Sequence, residues 1–153
     1  RYFPDKQTLL FSLMQRHMSD TLAAIEAAPS GADHSARLAQ FARLHILHHV
    51  AMRNSAHVVN NELRSLSREN FAAILKLRSI YEKKLRTILK EGADAGVLTP
   101  GDSALTATAM IAMLNEVCVW FREGGTHSLE QVADIYALMS VKMVNPAHVI
   151  APG

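Results

Sequence analysis

SALTATAMIAMLNEVCVWFR, residues Ser103–Arg122, is apolar on nearly every side when it is drawn as a helix. Thr106, Thr108, Asn115 and Glu116 interrupt it, and a charge at mid-bilayer costs about 2.5–3.5 kcal/mol, so we predict no membrane span. A soluble domain has to cover such a helix on both sides, by its own core and by a partner subunit or a ligand. The first apolar stripe contains Ala107, Met110, Ile111, Leu114, Cys118 and Phe121. The adjacent stripe contains Leu105, Ala109, Met113, Val117 and Trp120.

The composition is that of one domain with a substantial core, because 49% of the 153 residues are hydrophobic. A net charge of +2 provides no strong electrostatic attraction to nucleic acid. Cys118 is the single cysteine, which excludes a disulfide framework and is compatible with a reducing cytoplasm. The start, Arg1-Tyr2-Phe3-Pro4, lacks the pattern of a signal peptide and an initiator Met. We therefore expect a cytoplasmic protein and a fragment or processed chain.

Proline and glycine are confined to a few short segments, and the stretches between them have helical periodicity. No stretch has the alternation that is typical of strands, so the fold prediction is an all-α bundle of about six helices. Capping residues mark four of the starts, namely Asp5, Ser67, Asp102 and Ser128, the last in a capping box with Gln131. The predicted helices are Asp5–Ala28, Asp33–Arg53, Ser55–Leu66, Ser67–Ala95, Asp102–Arg122 and Leu129–Met143.

The last two predicted helices are apolar over more than one stripe. On the last helix, Ile135, Leu138 and Met139 lie beside the stripe that would face the core. Two such helices form a hairpin that can pair with its twin across a two-fold axis. The sequence therefore predicts a homodimer whose interface is a four-helix bundle.

Arg78 lies within an otherwise apolar stripe of the long fourth helix. A buried guanidinium needs an anionic partner. The partner could be Glu62 or Glu82 within the chain, or the guanidinium could stay in water while its stem lies along the core. The functional alternative is a carboxylate or phosphate of a ligand. Flexible methionines converge on the same predicted interior and suit an adaptable cavity. Together these features favour an elongated amphipathic ligand with an acidic or carbonyl end near Arg78.

Four histidines form a second candidate site. His45 and His49 are four residues apart, His48 lies beside them, and His57 follows on the next helix. This spacing could serve a divalent metal, although the same helix lacks a matching carboxylate, so hydrogen-bonded structural histidines are the alternative. The sequence has no nucleophile elbow, glycine-rich phosphate loop or metalloprotease helix motif. We therefore predict neither an enzyme nor a cofactor.

Two parts of the sequence resemble a known family. RYFPDKQTLL, with Tyr2, Phe3, Pro4 and Lys6, is similar to the end of the DNA-binding domain in TetR-family transcriptional repressors. NELRSLSRENFAAILKLRSIYEKKLRTILKEGADAGVL, MLNEVCVWFREGG and SLEQVADIYALM resemble the ligand-binding domain of a TetR branch that represses lipid and steroid catabolism and responds to acyl-CoA thioesters. Members of that branch often carry an aromatic residue at the position of Glu116 and a basic residue at the position of Val119.

The resemblance implies a repressor that releases DNA when a small amphipathic effector, such as an acyl-CoA, a fatty acid or a steroid-like acid, binds between the middle helices. Residues 1–8 would be the trailing end of the helix-turn-helix domain, with Tyr2 and Lys6 near DNA. Residues 9–145 would be the ligand-binding and dimerisation domain, and 146–153 a flexible tail. Double-stranded operator DNA would be contacted only through the missing N-terminal domain.

The residues predicted to contact the effector come from three of the helices. These predicted contacts are Asn60, Arg64, Phe71, Ile74, Arg78, Tyr81, Met110, Leu114, Asn115 and Cys118.

Two alternative functions stay open. One is a metal sensor or metalloenzyme that uses His45, His49 and His57, and the other is a purely structural helical dimerisation module.

Overall fold

The computed structural model describes residues 5–27, 33–53 and 61–145, and within these ranges all regular secondary structure is helical, with no strand. This confirms the all-α prediction. The described residues form five α-helices where about six were predicted. The predicted helix from Ser55 to Leu66 lies partly outside the described residues, and its described end contains a 3-10 turn at Leu63–Ser65. The α-helices are α1 (Lys6–Ala27), α2 (His34–Ala51), α3 (Arg68–Asp94), α4 (Ser103–Trp120) and α5 (Leu129–Val144).

Side-chain caps determine where the helices begin. Asp5 accepts a hydrogen bond from the backbone nitrogen of Thr8 at 2.7 Å, and Asp102 caps α4 in the same way at 3.0 Å. At α5, Ser128 and Gln131 form the predicted capping box. Each cap satisfies a backbone donor that the first helical turn leaves unpaired, so the starts agree with the sequence prediction to within a residue.

Helix α2 occupies the centre of the bundle and packs against the other four helices. One buried cluster joins all five described helices around Met14, Phe41 and Met110, with Val141 and Val144 from α5. A second joins α2, α4 and α5 around Ile46, Leu114 and other apolar side chains. The sequence singles out α4 as the most apolar helix, yet the less apolar α2 is the one that packs against all the other described helices.

Helix α4 is buried on one side and exposed on the other. Leu105, Val119 and Trp120 are 67%, 48% and 45% exposed, whereas Met110 and Leu114 are buried. By length and a mean hydropathy of 1.3, α4 alone among the described helices could cross a membrane, a test that core helices of soluble proteins also pass. Helix α5 exposes a similar apolar face, formed by Ile135, Leu138, Met139 and Met143.

The connection from α3 to α4 is anchored by a tight helix end. The backbone nitrogen of Gly96 bonds to the carbonyl oxygen of Ala93, and that of Val97 bonds to the carbonyl oxygen of Gly92, which together form a Schellman motif. Gly96 adopts φ +73°, a conformation that glycine accepts without strain. The turn places Leu98 directly against Gly92 in the core.

We predict that Gly92→Ala destabilises the fold by about 1–3 kcal/mol. A Cβ atom on Gly92 would lie 2.3 Å from Cδ1 of Leu98, whose side chain is buried and cannot move away freely. Urea unfolding monitored by circular dichroism measures the change. The control is Gly125→Ala, where the added Cβ is 3.4 Å from the nearest atom and the glycine has no positive φ. Equal stability of the two variants would show that the Gly92–Leu98 contact does not constrain the fold.

Candidate ligand-binding site

A cluster of polar side chains lies where α1, α2, α3 and α4 meet. His17 comes from α1, His45 and His49 from α2, Tyr81 from α3 and Asn115 from α4. The histidines and the tyrosine are buried, and Asn115 is half-buried. Polar groups are costly to bury in an apolar core unless they are hydrogen-bonded. The hydrogen bonds of this cluster therefore decide what the site can bind.

His45 is at the centre of the cluster and is held on both sides of its ring. Its Nε2 donates to Oδ1 of Asn115 at 2.7 Å, and its Nδ1 accepts from the hydroxyl of Tyr81. The assignment of Asn115 Oδ1 as acceptor fixes the neutral tautomer that carries its proton on Nε2. Nδ1 of His49 donates to the backbone oxygen of His45 at 2.9 Å, and the two rings stack with centroids 3.8 Å apart.

Burial keeps these histidines neutral. It lowers the pKa of His45 from 6.5 to about 4, against the hydrogen bond to Asn115, which raises it. It also lowers the pKa of His17 to about 4, with a further lowering by His48. The pKa of His49 is well below 6.5 for the same main reason, and burial raises the pKa of the Tyr81 hydroxyl. At neutral pH the site therefore presents hydrogen-bonding groups without positive charge on the rings.

Two histidine nitrogens in this region are buried with no hydrogen-bond partner among the described residues. They are Nδ1 of His17 and Nε2 of His48. The ring of His17 lies 5.0 Å from that of His49 and nearly perpendicular to it. A buried polar atom without a partner costs about 1–3 kcal/mol, so a ligand or water that reached Nδ1 of His17 would be stabilised there.

A small cavity of about 20 Å³ lies within the cluster. That volume is enough for about one water molecule. The side chain of Arg78 is half-buried at this cavity, and within the described ranges no carboxylate forms an ion pair with it. Glu82, one of the two partners considered from the sequence, also borders the cavity without pairing to Arg78. The lining residues are His17, Met18, His45, His49, Arg78, Tyr81, Glu82, Ile111 and Asn115.

Three of the ten predicted ligand contacts, Arg78, Tyr81 and Asn115, line this cavity together. Asn60 lies outside the described residues, as does Tyr2 of the predicted DNA contacts, while Lys6 is exposed at the start of α1. The remaining six predicted ligand contacts lie in the surrounding core or at its edge. Ile74, Met110, Leu114 and Cys118 are buried, Phe71 is half-buried, and Arg64 is exposed.

The predicted contacts omit several residues that line the cavity, above all His17. A signal was present, because His17 lies three residues after Met14 and four before Thr21, which is the spacing of one face of a helix. Its proximity to the histidines of α2 depends on how the two helices pack. No local pattern specifies that packing.

The arrangement does not support the metal-binding alternative for His45 and His49. Both ring nitrogens of His45 and Nδ1 of His49 are already engaged in hydrogen bonds. In the parts of the chain that the structure describes, no group of three or more His, Cys, Asp or Glu residues is placed to hold a metal ion. His57 of the proposed set lies outside those parts.

We predict that the free energy of unfolding decreases as the pH falls from 6.5 towards 4, by a few kcal/mol in total. In this window the unfolded chain binds protons on His17 and His45, whereas the folded chain resists protonation until about pH 4. Urea unfolding at several pH values measures the slope. His45→Gln should flatten it, and His127→Gln, at an exposed site, should not. A slope that is identical in all three proteins would exclude His45 as a source of the pH dependence.

Known proteins resemble this chain in sequence and in structure. A family model described as tetracyclin repressor-like, C-terminal domain, matches residues 31–144. A TetR-family regulatory protein from Rhodococcus RHA1 is 31% identical with a TM-score of 0.86, over 94% of this chain and 76% of that one. Among curated protein sequences none matches the chain.

Two further solved structures share the architecture. The TetR-family transcriptional regulator PfmR from Thermus thermophilus is 30% identical, with a TM-score of 0.82 over 92% of this chain and 77% of that one. AibR, solved in complex with isovaleryl coenzyme A and operator DNA, is 23% identical, with a TM-score of 0.76 over 88% of this chain and 74% of that one. At this identity the likeness to AibR shows the fold alone. With the family model and the two closer structures in agreement, the chain belongs to the TetR family of transcriptional regulators, of which it contains the C-terminal domain.

Proposed function

We propose that this chain is the effector-binding and dimerisation domain of a TetR-like repressor, which releases operator DNA when a small amphipathic molecule enters the helical bundle. The observation that carries the proposal is the buried cluster of His17, His45, Tyr81 and Asn115 within an apolar core. A core that served packing alone would not need four helices to contribute polar side chains to one point, since their burial is costly. Nδ1 of His17, which has no hydrogen-bond partner among the described residues, gives a ligand a group to bind.

The proposed effector has an apolar body and an acidic or carbonyl group that binds near Arg78. The support is the half-buried guanidinium, which borders the cavity and forms no ion pair with the described carboxylates. An arginine can bind a carboxylate through two parallel hydrogen bonds. Acyl-CoA thioesters, fatty acids and steroid-like acids meet these requirements. The complex of AibR with isovaleryl coenzyme A supports the thioester class.

Glu116 does not oppose an anionic effector at this site. The sequence places it where related repressors often carry an aromatic residue. In the structure its side chain is exposed and is not among the residues that line the cavity. Its carboxylate therefore lies on the exposed face of α4 and not in the polar cluster.

Binding requires the bundle to expand, because a cavity of about 20 Å³ cannot contain the proposed effector. Met14 and Met110 are fully buried beside the site, and their unbranched side chains can adopt other rotamers. Expansion would displace α1, which contributes His17 and begins within the segment that resembles the end of the DNA-binding domain. The effector would then act by selecting a state in which α1 is shifted.

The proposed DNA contacts are at the beginning of the sequence. Residues 1–8 would form the trailing end of the helix-turn-helix domain, with Tyr2 and Lys6 close to DNA. Lys6 is exposed at the first turn of α1, which is compatible with this role. The part of a TetR repressor that reads the major groove would precede this segment.

The exposed apolar faces of α4 and α5 are the proposed dimer interface. Trp120 and Tyr136 connect the two helices, with ring centroids 6.2 Å apart. Seven large apolar side chains on these helices are at least 42% exposed in the single chain. Obligate interfaces commonly bury about 2,000 Å² or more and resemble a divided core.

We predict that Arg78→Met weakens the binding of dodecanoate and dodecanoyl-CoA by about tenfold or more. Methionine retains an apolar side chain but removes the charge and its hydrogen bonds to the effector, which are worth about 1.5–3 kcal/mol. Isothermal titration calorimetry measures both affinities. Arg86→Met, on the same helix but outside the cavity lining, is the control. If the Arg78 variant binds both molecules as tightly as the parent, the arginine is structural and the proposed orientation is wrong.

We predict a dimer in solution that the double variant Ile135→Glu, Leu138→Glu converts to a monomer. Both residues are about half exposed on α5, so the single chain tolerates the charges, whereas a dimer would have to bury them without partners. Light scattering after size-exclusion chromatography measures the mass. Leu75→Glu, on α3 and 41% exposed, is the matched control and should remain dimeric. A parent protein that is monomeric at micromolar concentration would refute the interface.

A further inference from the structure

His17 differs from the other histidines that border the inner cavity. It is buried, and its Nδ1 has no hydrogen-bond partner among the described residues. Both ring nitrogens of His45 are engaged, and a proton on its Nδ1 would break the bond that this atom accepts from Tyr81. The ring of His49 is stacked on that of His45, so its burial and the neighbouring ring both oppose a positive charge. His17 is therefore the histidine of the cavity that can accept a proton with the least disruption of the cluster.

The charged and titratable groups around His17 have opposing effects on its ring. Burial lowers its pKa most, His48 on α2 lowers it further, and Asp20 on α1 raises it. From α3, Arg78 and Glu82 border the same cavity with charges of opposite sign. The other hydrogen-bonding groups of the lining, which come from α2, α3 and α4, are neutral, namely His45, His49, Tyr81 and Asn115. Burial prevails, so the pKa of His17 is about 4 and the ring is neutral at neutral pH in the absence of an effector.

A carboxylate that bound to Arg78 would change this balance, because Arg78 and His17 line the same small cavity. An opposite charge within about 4–6 Å of a titratable group changes its pKa by about 1–3. The carboxylate would therefore raise the pKa of His17 from about 4 to about 5–7. The bound protein then holds more protons than the free protein, so binding becomes tighter as the pH falls. A group without charge would leave His17 neutral and produce no such dependence.

We infer that His17 is a specificity-determining residue, which takes up a proton from solvent when an effector carboxylate binds between its ring and Arg78. The carboxylate stays ionised and accepts hydrogen bonds from both cations. The inference rests on the proposed function and narrows the effector to a free carboxylic acid. An ester, a thioester or an alcohol has no charge at this end of the molecule. It would contact Arg78 without proton uptake.

The test measures proton uptake by calorimetry of the full chain with decanoate. Titrations at one pH in two buffers of different ionisation enthalpy, MES and Bis-Tris at pH 6 and HEPES and Tris at pH 8, give the number of protons that accompany binding. We expect about half a proton or more per decanoate at pH 6 and close to none at pH 8. The affinity should be about two- to tenfold higher at pH 6 than at pH 8. Decanol, which has the same chain and no charge, should bind without uptake at either pH.

Glutamine variants assign the proton to a residue. His17→Gln keeps a polar side chain that cannot titrate, and it should abolish both the uptake and the pH dependence of the affinity. His48→Gln is the matched control, because Nε2 of His48 is also buried without a described partner, but His48 does not line the cavity. His127→Gln, at an exposed site, is the second control. Both controls should retain the uptake.

A measurement on the parent protein gives the same answer without a variant. NMR titration of the histidine rings, with and without decanoate, should show one ring whose pKa rises on binding. If no histidine pKa rises, the inference is wrong, even where His17→Gln fails to fold.

The outcomes separate this inference from the proposed function. If decanoate binding depends on Arg78 but takes up no proton at pH 6, the effector site stands and the role of His17 is wrong. If His17→Gln retains the uptake, the proton goes to another group, such as Glu82, Asp20 or the ligand, and the inference is overturned. If the parent does not bind decanoate, the proposed acidic effector is wrong and the inference is rejected with it.

Discussion

The imidazole of His45 joins three helices through two hydrogen bonds, one to Tyr81 and one to Asn115. Because His45 is on α2, which packs against every other helix of the described bundle, these bonds set the relative positions of α2, α3 and α4. They also require the ring to be neutral, since one nitrogen has to accept while the other donates. The apolar surroundings of the ring maintain that state by lowering its pKa.

The same arrangement combines stability with the capacity to bind. A core made only of leucine and isoleucine would be cheaper to assemble, because it would have no polar groups to desolvate. Here each helix from α1 to α4 contributes a polar side chain to one point, and an arginine without a carboxylate partner among the described residues borders it. These features are understandable if the centre of the bundle has to recognise a polar group on a molecule that is otherwise apolar.

The sequence predicted well the features that depend on neighbouring residues. Caps such as Asp5, Asp102 and Ser128 were confirmed, because a cap satisfies donors only three residues away. The tertiary arrangement was harder to predict. The apolar α4 was predicted to be covered on both sides, and one of its sides is exposed in the single chain, whereas α2 packs against all the other described helices despite its histidines. Arg78, Tyr81 and Asn115, which the sequence groups by their helical faces, line one cavity, whereas the approach of His17 to His49 depends on interhelical packing that periodicity does not specify.

Under the proposed function, the small size of the inner cavity determines the effector concentration at which the regulator responds. An effector has to supply the free energy that opens the bundle, and that cost lowers its apparent affinity in proportion to the rarity of the open state. A change of about 1.4 kcal/mol in the opening cost shifts the response threshold tenfold. Substitutions of core residues such as Met14 or Met110, which set how tightly the closed state packs, can therefore adjust the dose response while the recognition chemistry stays the same. Sensitivity and specificity are in this way encoded by different parts of the molecule.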